Sequence, residues 1–170
     1  MNFVQADPSS ADVLNNLLEL YCHDMSEWLG LDADATGSFA GNYDAPTYWA
    51  DGGSVFIAYV ARRPIGFAIV QSATPFTGKA NSLDLKEFFI LRKHRRSGAG
   101  NAFAEHVWNT HPQQWLVRVY SVNRPAVPFW RKTIAAYTSG DFSEEVRSQA
   151  DRDWIYFAFR STSFRSPGLD

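Results

Sequence analysis

The sequence contains a single cysteine, Cys22, among its 170 residues. One thiol cannot form an intrachain disulfide, and it excludes most cysteine-based zinc sites. No apolar run approaches the roughly 18–20 residues that a membrane-spanning helix needs, and the first ten residues lack the basic and apolar regions of a signal peptide. We therefore expect a cytoplasmic protein with no metal and no membrane partner, folded as one domain over residues 1–170.

Lysine and arginine are absent from the first 61 positions, which contain nine aspartates and glutamates. All 16 lysines and arginines follow, with the other nine acids, so the two segments carry −9 and +7. Two interpretations stay open: the charges interleave and cancel on folding, or they present separate fields for a cationic and an anionic ligand. The net charge of −2 gives no reason to expect a nucleic-acid partner.

Hydrophobic periodicity predicts alternating strands and helices. The first helix should begin near Ser9 and Asp12, which match a helix-start signal, and it continues to residue 29. A long loop over 30–53 contains a short helix near 46–50. Further strands are predicted at 3–6, 54–61, 65–72, 83–91, 115–122, 142–147 and 154–160, with helices at 97–109 and 124–136. This order predicts an α/β (α+β) fold, with a mixed central sheet of six to seven strands and helices on both faces.

A basic, glycine-containing segment follows the strand at 83–91. Residues 92–96 are Arg-Lys-His-Arg-Arg, and Ser-Gly-Ala-Gly at 97–100 opens the next helix. Small residues allow backbone N–H groups to approach an anion, and a helix N-terminus adds partial positive charge. The segment is typical of a phosphate or pyrophosphate site. It is not a Walker loop, because no Gly-Lys-Ser/Thr follows, and Phe103 replaces the third glycine of the dinucleotide fingerprint. The alternative is a solvated basic turn.

Two motifs carry a resemblance to a known family. Arg95-x-x-Gly98-x-Gly100 resembles the Arg/Gln-x-x-Gly-x-Gly/Ala signature of the GCN5-related N-acetyltransferase (GNAT) superfamily, which binds acetyl-CoA. Residues 123–130, Asn-Arg-Pro-Ala-Val-Pro-Phe-Trp, are similar to that superfamily's Asn-x-x-Ala-x-x-Phe-Tyr element. Glu87 lies where many members have an acidic residue on the central strand. The resemblance implies a GNAT-like acyl-CoA acyltransferase fold and an acetyl-CoA-dependent N-acetyltransferase.

The same resemblance implies an acetyl-CoA site in several parts. Backbone N–H groups of the basic turn would bind the pyrophosphate, the central strand would pair with the pantetheine arm, and Asn123 would hydrogen-bond to that arm. The adenosine phosphate would be bound by Arg92, Arg131 or Lys132. The alternative is that these side chains are exposed at the surface and bind nothing. The cofactor-binding residues implied are Phe88, Phe89, Ile90, Arg95, Arg96, Ser97, Gly98, Ala99, Gly100, Asn101 and Asn123.

Glu87 is the candidate catalytic base, taking the ammonium proton directly or through water. The alternative is that Glu87 fixes the sheet or binds the acceptor's charge.

The superfamily usually has a tyrosine general acid where this chain has Trp130. An indole N–H donates a hydrogen bond but does not titrate near neutral pH. Either Trp130 stabilises the leaving sulfur by hydrogen bonding, or water or a nearby tyrosine donates the proton. A covalent route through Cys22 is the other alternative, although its place beside the apolar stripe of the first helix favours packing. This stripe is formed at helical spacing by Val13, Leu14, Leu17, Leu18, Tyr21, Met25 and Leu29.

The acceptor is expected to contact the first helix. His23, Asp24, Glu27 and Trp28 are the candidates, since carboxylates beside aromatic rings suit an ammonium group. The alternative is that these residues form a solvated helix end. Loop aromatics at positions 43, 48 and 49 either join them or fill the core. The acceptor would be a primary amine of a small cationic metabolite or an exposed protein amine.

The alternative function is an acyl-CoA-binding regulatory module with weak or no catalysis. The exposed edge of the final hairpin suggests a homodimer.

Overall fold

The computed structural model describes residues 1–50, 52–149 and 152–161. Within them the chain forms seven strands and five α-helices. In chain order these are β1 (Asn2–Ala6), α1 (Ala11–Leu29), α2 (Thr47–Ala50), β2 (Ser54–Val60), β3 (Arg63–Ser72), α3 (Thr74–Thr77), β4 (Ser82–Ile90), α4 (Ala99–Thr110), β5 (Gln114–Tyr120), α5 (Ala126–Thr138), β6 (Phe142–Gln149) and β7 (Arg152–Arg160).

The strands form one mixed sheet in the order β1-β2-β3-β4-β5-β7-β6. The pairs β1–β2, β2–β3, β5–β7 and β6–β7 are antiparallel. The β4–β5 pair is parallel, and its register runs from Ser82 opposite Gln114 to Leu85 opposite Val117. The predicted α/β class with a mixed sheet of up to seven strands is therefore confirmed.

The chain divides into two compact units. The first comprises Met1–Gln71 and Glu87–Gly100, and the second comprises Ser72–Lys86 and Asn101–Asp170. Strand β4 begins in the second unit and ends in the first.

The core of the first unit lies between α1 and strands β2 to β4. Leu14, Leu17 and Leu18 of α1 belong to one buried cluster with Phe67 of β3 and Phe89 of β4. These leucines are on the predicted apolar stripe. Burying each large apolar side chain stabilises the fold by about 1.5–3 kcal/mol. The stripe therefore attaches α1 to the sheet.

The predicted start signal of α1 is wrong. The N-cap of this helix is Ser10, and no side chain caps it. Asp7 instead caps the preceding 3-10 turn at Pro8–Ser10, accepting a hydrogen bond from the backbone N–H of Ser9 at 2.9 Å. Because Pro8 starts this short turn, the capping interaction lies one turn earlier than the Ser9–Asp12 pattern indicates.

The loop between α1 and α2 is attached by polar contacts. Glu19 of α1 accepts hydrogen bonds from the Phe39 N–H at 2.9 Å and from the Tyr43 hydroxyl at 2.7 Å. These bonds lower the pKa of Glu19, although its partial burial opposes them. Tyr48 is buried in the core cluster, and the Trp49 indole donates to a backbone carbonyl of β1 at 2.8 Å. The loop aromatics therefore fill the core of this unit.

Gly66 allows β3 to approach β4 closely. A Cβ atom at this position would lie 2.1 Å from the carbonyl oxygen of Phe89 and 2.8 Å from Cδ1 of Ile90. Any side chain at position 66 would displace the end of β4.

The second unit buries a cluster of large aromatic residues. Trp108 of α4 lies 4.9 Å from Phe159 of β7 and 6.2 Å from Trp130 of α5, measured between ring centroids. Trp115 and Phe157 are also fully buried. These rings attach α4 and α5 to the strands of this unit.

A buried ion pair joins β4 to β5 in the second unit. The Arg118 guanidinium donates to the Asp84 carboxylate at 2.6 Å, and it lies 3.8 Å from the ring centroid of Phe76. The Asp84 side chain is 2% exposed and that of Arg118 is 15% exposed. Burial raises the pKa of Asp84 even though Arg118 opposes the change. For Arg118, which is less buried, the attraction of the carboxylate exceeds the burial penalty, and its pKa is also raised.

Candidate active site

The turn after β4 has the geometry expected of an anion-binding segment. A 3-10 turn at Arg92–His94 follows the strand, Arg96 and Gly98 adopt φ values of 61° and 85°, and α4 begins at Ala99. The Ser97 hydroxyl donates to the carbonyl of His94 at 2.8 Å, which closes the turn. A Cβ at Gly98 would meet no atom within 4 Å, so the turn has an open outer surface. The residues present fit a pyrophosphate group held by backbone N–H groups.

Two arginine side chains of this segment, those of Arg92 and Arg95, form hydrogen bonds with other groups of the first unit. Arg95 donates from Nε to the carbonyl of Ile90 at 2.7 Å and from Nη2 to Asp24 at 2.5 Å. Arg92 donates from Nε to the same carboxylate at 2.9 Å. Partial burial would raise the pKa of Asp24, but the two guanidinium groups hold it below its usual range. Asp24, a predicted acceptor contact, therefore carries a charge that is compensated within the first unit.

Glu87 contacts Tyr21, a residue for which the sequence predicts no functional role. The Tyr21 hydroxyl donates to Oε2 of Glu87 at 2.5 Å. Burial raises the pKa of Tyr21 well above its ordinary value, and the Glu87 charge adds to this effect. The tyrosine ring is fixed edge-on against Phe67 and Phe89, at centroid distances of 5.6 and 5.9 Å. A signal was present in the sequence, because a tyrosine on an apolar helix stripe needs a partner for its hydroxyl.

Cys22 is buried, with 4% of its surface exposed. Burial, assisted by the charge of Glu87, raises the pKa of its thiol to about 11. Because the thiolate is the nucleophilic form, the covalent route is disfavoured and the packing alternative is favoured.

The remaining acceptor candidates lie near the end of α1. The ring of His23 is exposed, with Nδ1 3.8 Å from the Asp24 carboxylate. Glu27 is exposed, and Trp28 is half-buried. The first unit therefore contains these side chains together with Glu87.

The second unit contains the other predicted site residues. The Asn123 side chain accepts a hydrogen bond from the N–H of Ala126, the first residue of α5, at 3.3 Å, and Asn101 accepts one from the Thr133 hydroxyl at 3.2 Å. Trp130 is 7% exposed, and its ring lies 4.8 Å from that of Phe129. These three predicted roles stay predictions.

Within residues 1–50, 52–149 and 152–161, no helix is long and apolar enough to cross a membrane. Among the same residues, no group of three or more histidine, cysteine or acidic side chains is arranged to hold a metal ion.

No protein-family model matches the chain, and no curated protein matches it. Solved structures do match. The ribosomal-protein-S18-alanine N-acetyltransferase of Escherichia coli is 17% identical and aligns over 99% of this chain and 98% of its own, with a TM-score of 0.60. A GNAT-family protein from Desulfovibrio desulfuricans is 16% identical over 94% of this chain and 98% of its own, with a TM-score of 0.62.

The third match is the protein YncA from Salmonella typhimurium, solved with its cofactor acetyl-CoA. It is 13% identical over 100% of this chain and 99% of its own, with a TM-score of 0.63. Agreement over nearly the full length of each protein confirms the fold that the two sequence motifs imply. The chain therefore has the fold of the GCN5-related N-acetyltransferase superfamily.

Proposed function

We propose that this protein is an acetyl-CoA-dependent N-acetyltransferase that transfers an acetyl group to a primary amine by direct attack. The observation that carries the proposal is the continuous segment from Glu87 to Gly100, where a strand with an acidic residue leads into an open, glycine-containing turn. The fold of the neighbouring structures supports acetyl-CoA as cosubstrate.

Acetyl-CoA supplies the thioester and a thiolate leaving group. The backbone N–H groups from Arg96 to Gly100 bind the pyrophosphate, and the main chain from Phe88 to Ile90 pairs with the pantetheine arm. Glu87 removes a proton from the acceptor ammonium, directly or through one water molecule. A backbone N–H near Ile90 polarises the carbonyl.

Trp130 occupies the place of the usual tyrosine general acid. Its indole N–H stabilises the leaving sulfur by hydrogen bonding, and the sulfur is already a fair leaving group because a free thiol has a pKa of about 8.5. Because the indole of Trp130 cannot donate a proton as the usual tyrosine would, it also supports a second candidate function, an acyl-CoA-binding regulatory module with weak or no catalysis.

The acceptor is a small cationic metabolite or an exposed protein amine. The E. coli neighbour, named for a ribosomal-protein alanine, supports the protein amine. Glu27 is exposed and Asp24 is paired with two arginines, so Glu27→Gln should raise the acceptor KM more than Asp24→Asn does. The cytoplasmic location stays a prediction, as does the homodimer, for which the exposed strand β6 with Val146 67% exposed is the candidate contact.

Calorimetry with acetyl-CoA and a free-thiol assay over a panel of amines test the two functions. An N-acetyltransferase binds acetyl-CoA and releases thiol with at least one amine, whereas a regulatory module binds without release. Glu87→Gln should depress the rate mainly below the acceptor's pKa, and Trp130→Phe should reduce turnover modestly. Asp141→Asn, which removes an exposed carboxylate in the turn before β6, is the control. No binding at millimolar acetyl-CoA would exclude both functions.

A further inference from the structure

The side chains of Tyr21 and Glu87 form a pair in the first unit that spans 66 positions of the sequence. The tyrosine is held at both ends: its ring packs against Phe67 and Phe89, and its hydroxyl donates to the carboxylate. A hydroxyl on a packed aromatic ring has one position in space, whereas a glutamate side chain has three rotatable bonds. The rigid partner in this pair is therefore the tyrosine.

The protonation state of Tyr21 agrees with a fixed donor. Its raised pKa keeps the hydroxyl protonated throughout the neutral and mildly basic range. Tyr21 thus donates a hydrogen bond at every pH at which an amine acceptor reacts, and it does not compete with Glu87 for the substrate proton.

We propose that Tyr21 is the positioning residue of Glu87, holding Oε2 so that proton uptake from the acceptor takes place at Oε1. This inference rests on the proposed acetyl transfer. A positioned general base contributes about 10²–10⁴-fold to a rate, and a displacement of about 1 Å costs on the order of 10²-fold. Losing the hydroxyl should therefore lower kcat by about 10- to 100-fold, while the acetyl-CoA Kd changes less than about twofold.

The test compares the wild type with Tyr21→Phe, Glu87→Gln and the double variant. Tyr21→Phe keeps the ring and its packing. Tyr137→Phe is the matched control, because it removes a tyrosine hydroxyl that donates to Asn109 at 2.7 Å in the second unit. We expect a lower kcat in Tyr21→Phe, a nearly wild-type kcat in the control, and a double variant within about twofold of Glu87→Gln.

A wild-type kcat in Tyr21→Phe would overturn the inference, as would a double variant whose loss equals the product of the two single losses. If Tyr21→Phe does not fold, Glu87→Asp separates the same two groups by shortening the carboxylate arm, and an unchanged kcat there would also overturn it. An inactive wild type would instead refute the proposed function. In that case a double-mutant cycle on urea unfolding still measures whether Tyr21 and Glu87 are coupled, and additive effects would refute the pairing itself.

Discussion

Replacing Arg118 by methionine tests how the second unit tolerates a buried charge. Methionine keeps the unbranched, apolar length of the side chain beside Phe76 but removes the cation that compensates Asp84. The carboxylate is then left in a site where 2% of its side chain is exposed. Arg118→Met should therefore destabilise the fold strongly, although Arg118 has no proposed role in binding or catalysis.

The magnitude follows from the burial of the pair. Removing one partner of a buried ion pair costs about 3–5 kcal/mol, because the other charge stays uncompensated. For a chain of this size, about 1 kcal/mol shifts the Tm by roughly 2–4 °C. We expect Arg118→Met to lower the Tm by about 6–20 °C at neutral pH. The double variant Asp84→Leu/Arg118→Met should recover most of this loss, because apolar groups of similar volume often replace a buried pair without cost.

The pH dependence provides a second sign to check. Burial raises the pKa of Asp84 in the folded wild type, and losing the nearby cation raises it further. The folded variant therefore binds a proton more tightly than the unfolded chain does. The free energy of unfolding of Arg118→Met is therefore closest to that of the wild type below the unfolded pKa of Asp84, about 3.9. The difference grows as the pH rises through the pKa that Asp84 has in the folded variant.

Urea unfolding followed by tryptophan fluorescence at pH 5 and pH 8 measures these effects. The loss in Arg118→Met should be larger at pH 8. A variant within about 1 kcal/mol of the wild type at both pH values would refute the reasoning. So would a double variant less stable than Arg118→Met.

Three other predictions concern the first unit. Gly66→Ala should lower the Tm because its Cβ would overlap the carbonyl oxygen of Phe89. Gly41→Ala is the control and should leave the Tm unchanged, because its Cβ would meet no atom within 4 Å. Equal Tm values for the two variants would contradict the close approach of β3 to β4. Cys22→Ala should keep kcat within about twofold, since a buried thiol with a pKa of about 11 is not nucleophilic, and a tenfold loss would restore the covalent route. Glu19→Gln should reduce the fall in the free energy of unfolding between about pH 5 and pH 3, as measured by urea unfolding. The pKa of Glu19 is lowered in the folded protein, so its carboxylate stabilises the fold above the unfolded pKa and no longer does so once protonated. An unchanged pH dependence would contradict this.

Local patterns predicted most of the fold. The strand predicted at 83–91 is observed as Ser82–Ile90, and the helix predicted at 97–109 as Ala99–Thr110. Periodicity and glycine-rich turns depend on neighbouring residues, so the sequence displays them directly. The strand predicted at 65–72 begins earlier, at Arg63, because Ala61 and Arg62 complete the turn with φ values of 46° and 64°.

The candidate site was predictable only where it is contiguous. Residues 87–100 form one segment, and both its acidic residue and its turn were identified. The partners of that segment were not, because Tyr21 and Asp24 lie 66 and 71 positions before Glu87 and Arg95. Pairing at that distance is decided by tertiary packing, and the helix pattern alone cannot distinguish a carboxylate facing a ligand from one facing an arginine.

The contact between Asp24 and Arg95 also has a consequence for synthesis on the ribosome. The first 61 residues leave the ribosome with nine acids and no lysine or arginine. At about 5–20 residues per second, the 71 positions that separate Asp24 from Arg95 take about 4–14 s to add. For most of that interval α1 has neither its ionic partners nor the carboxylate that Tyr21 contacts, and the hairpin of β2 and β3 is completed before either is made. In the nascent chain the carboxylate of Asp24 therefore stays uncompensated by arginine until the strand with Glu87 and the basic turn have been made.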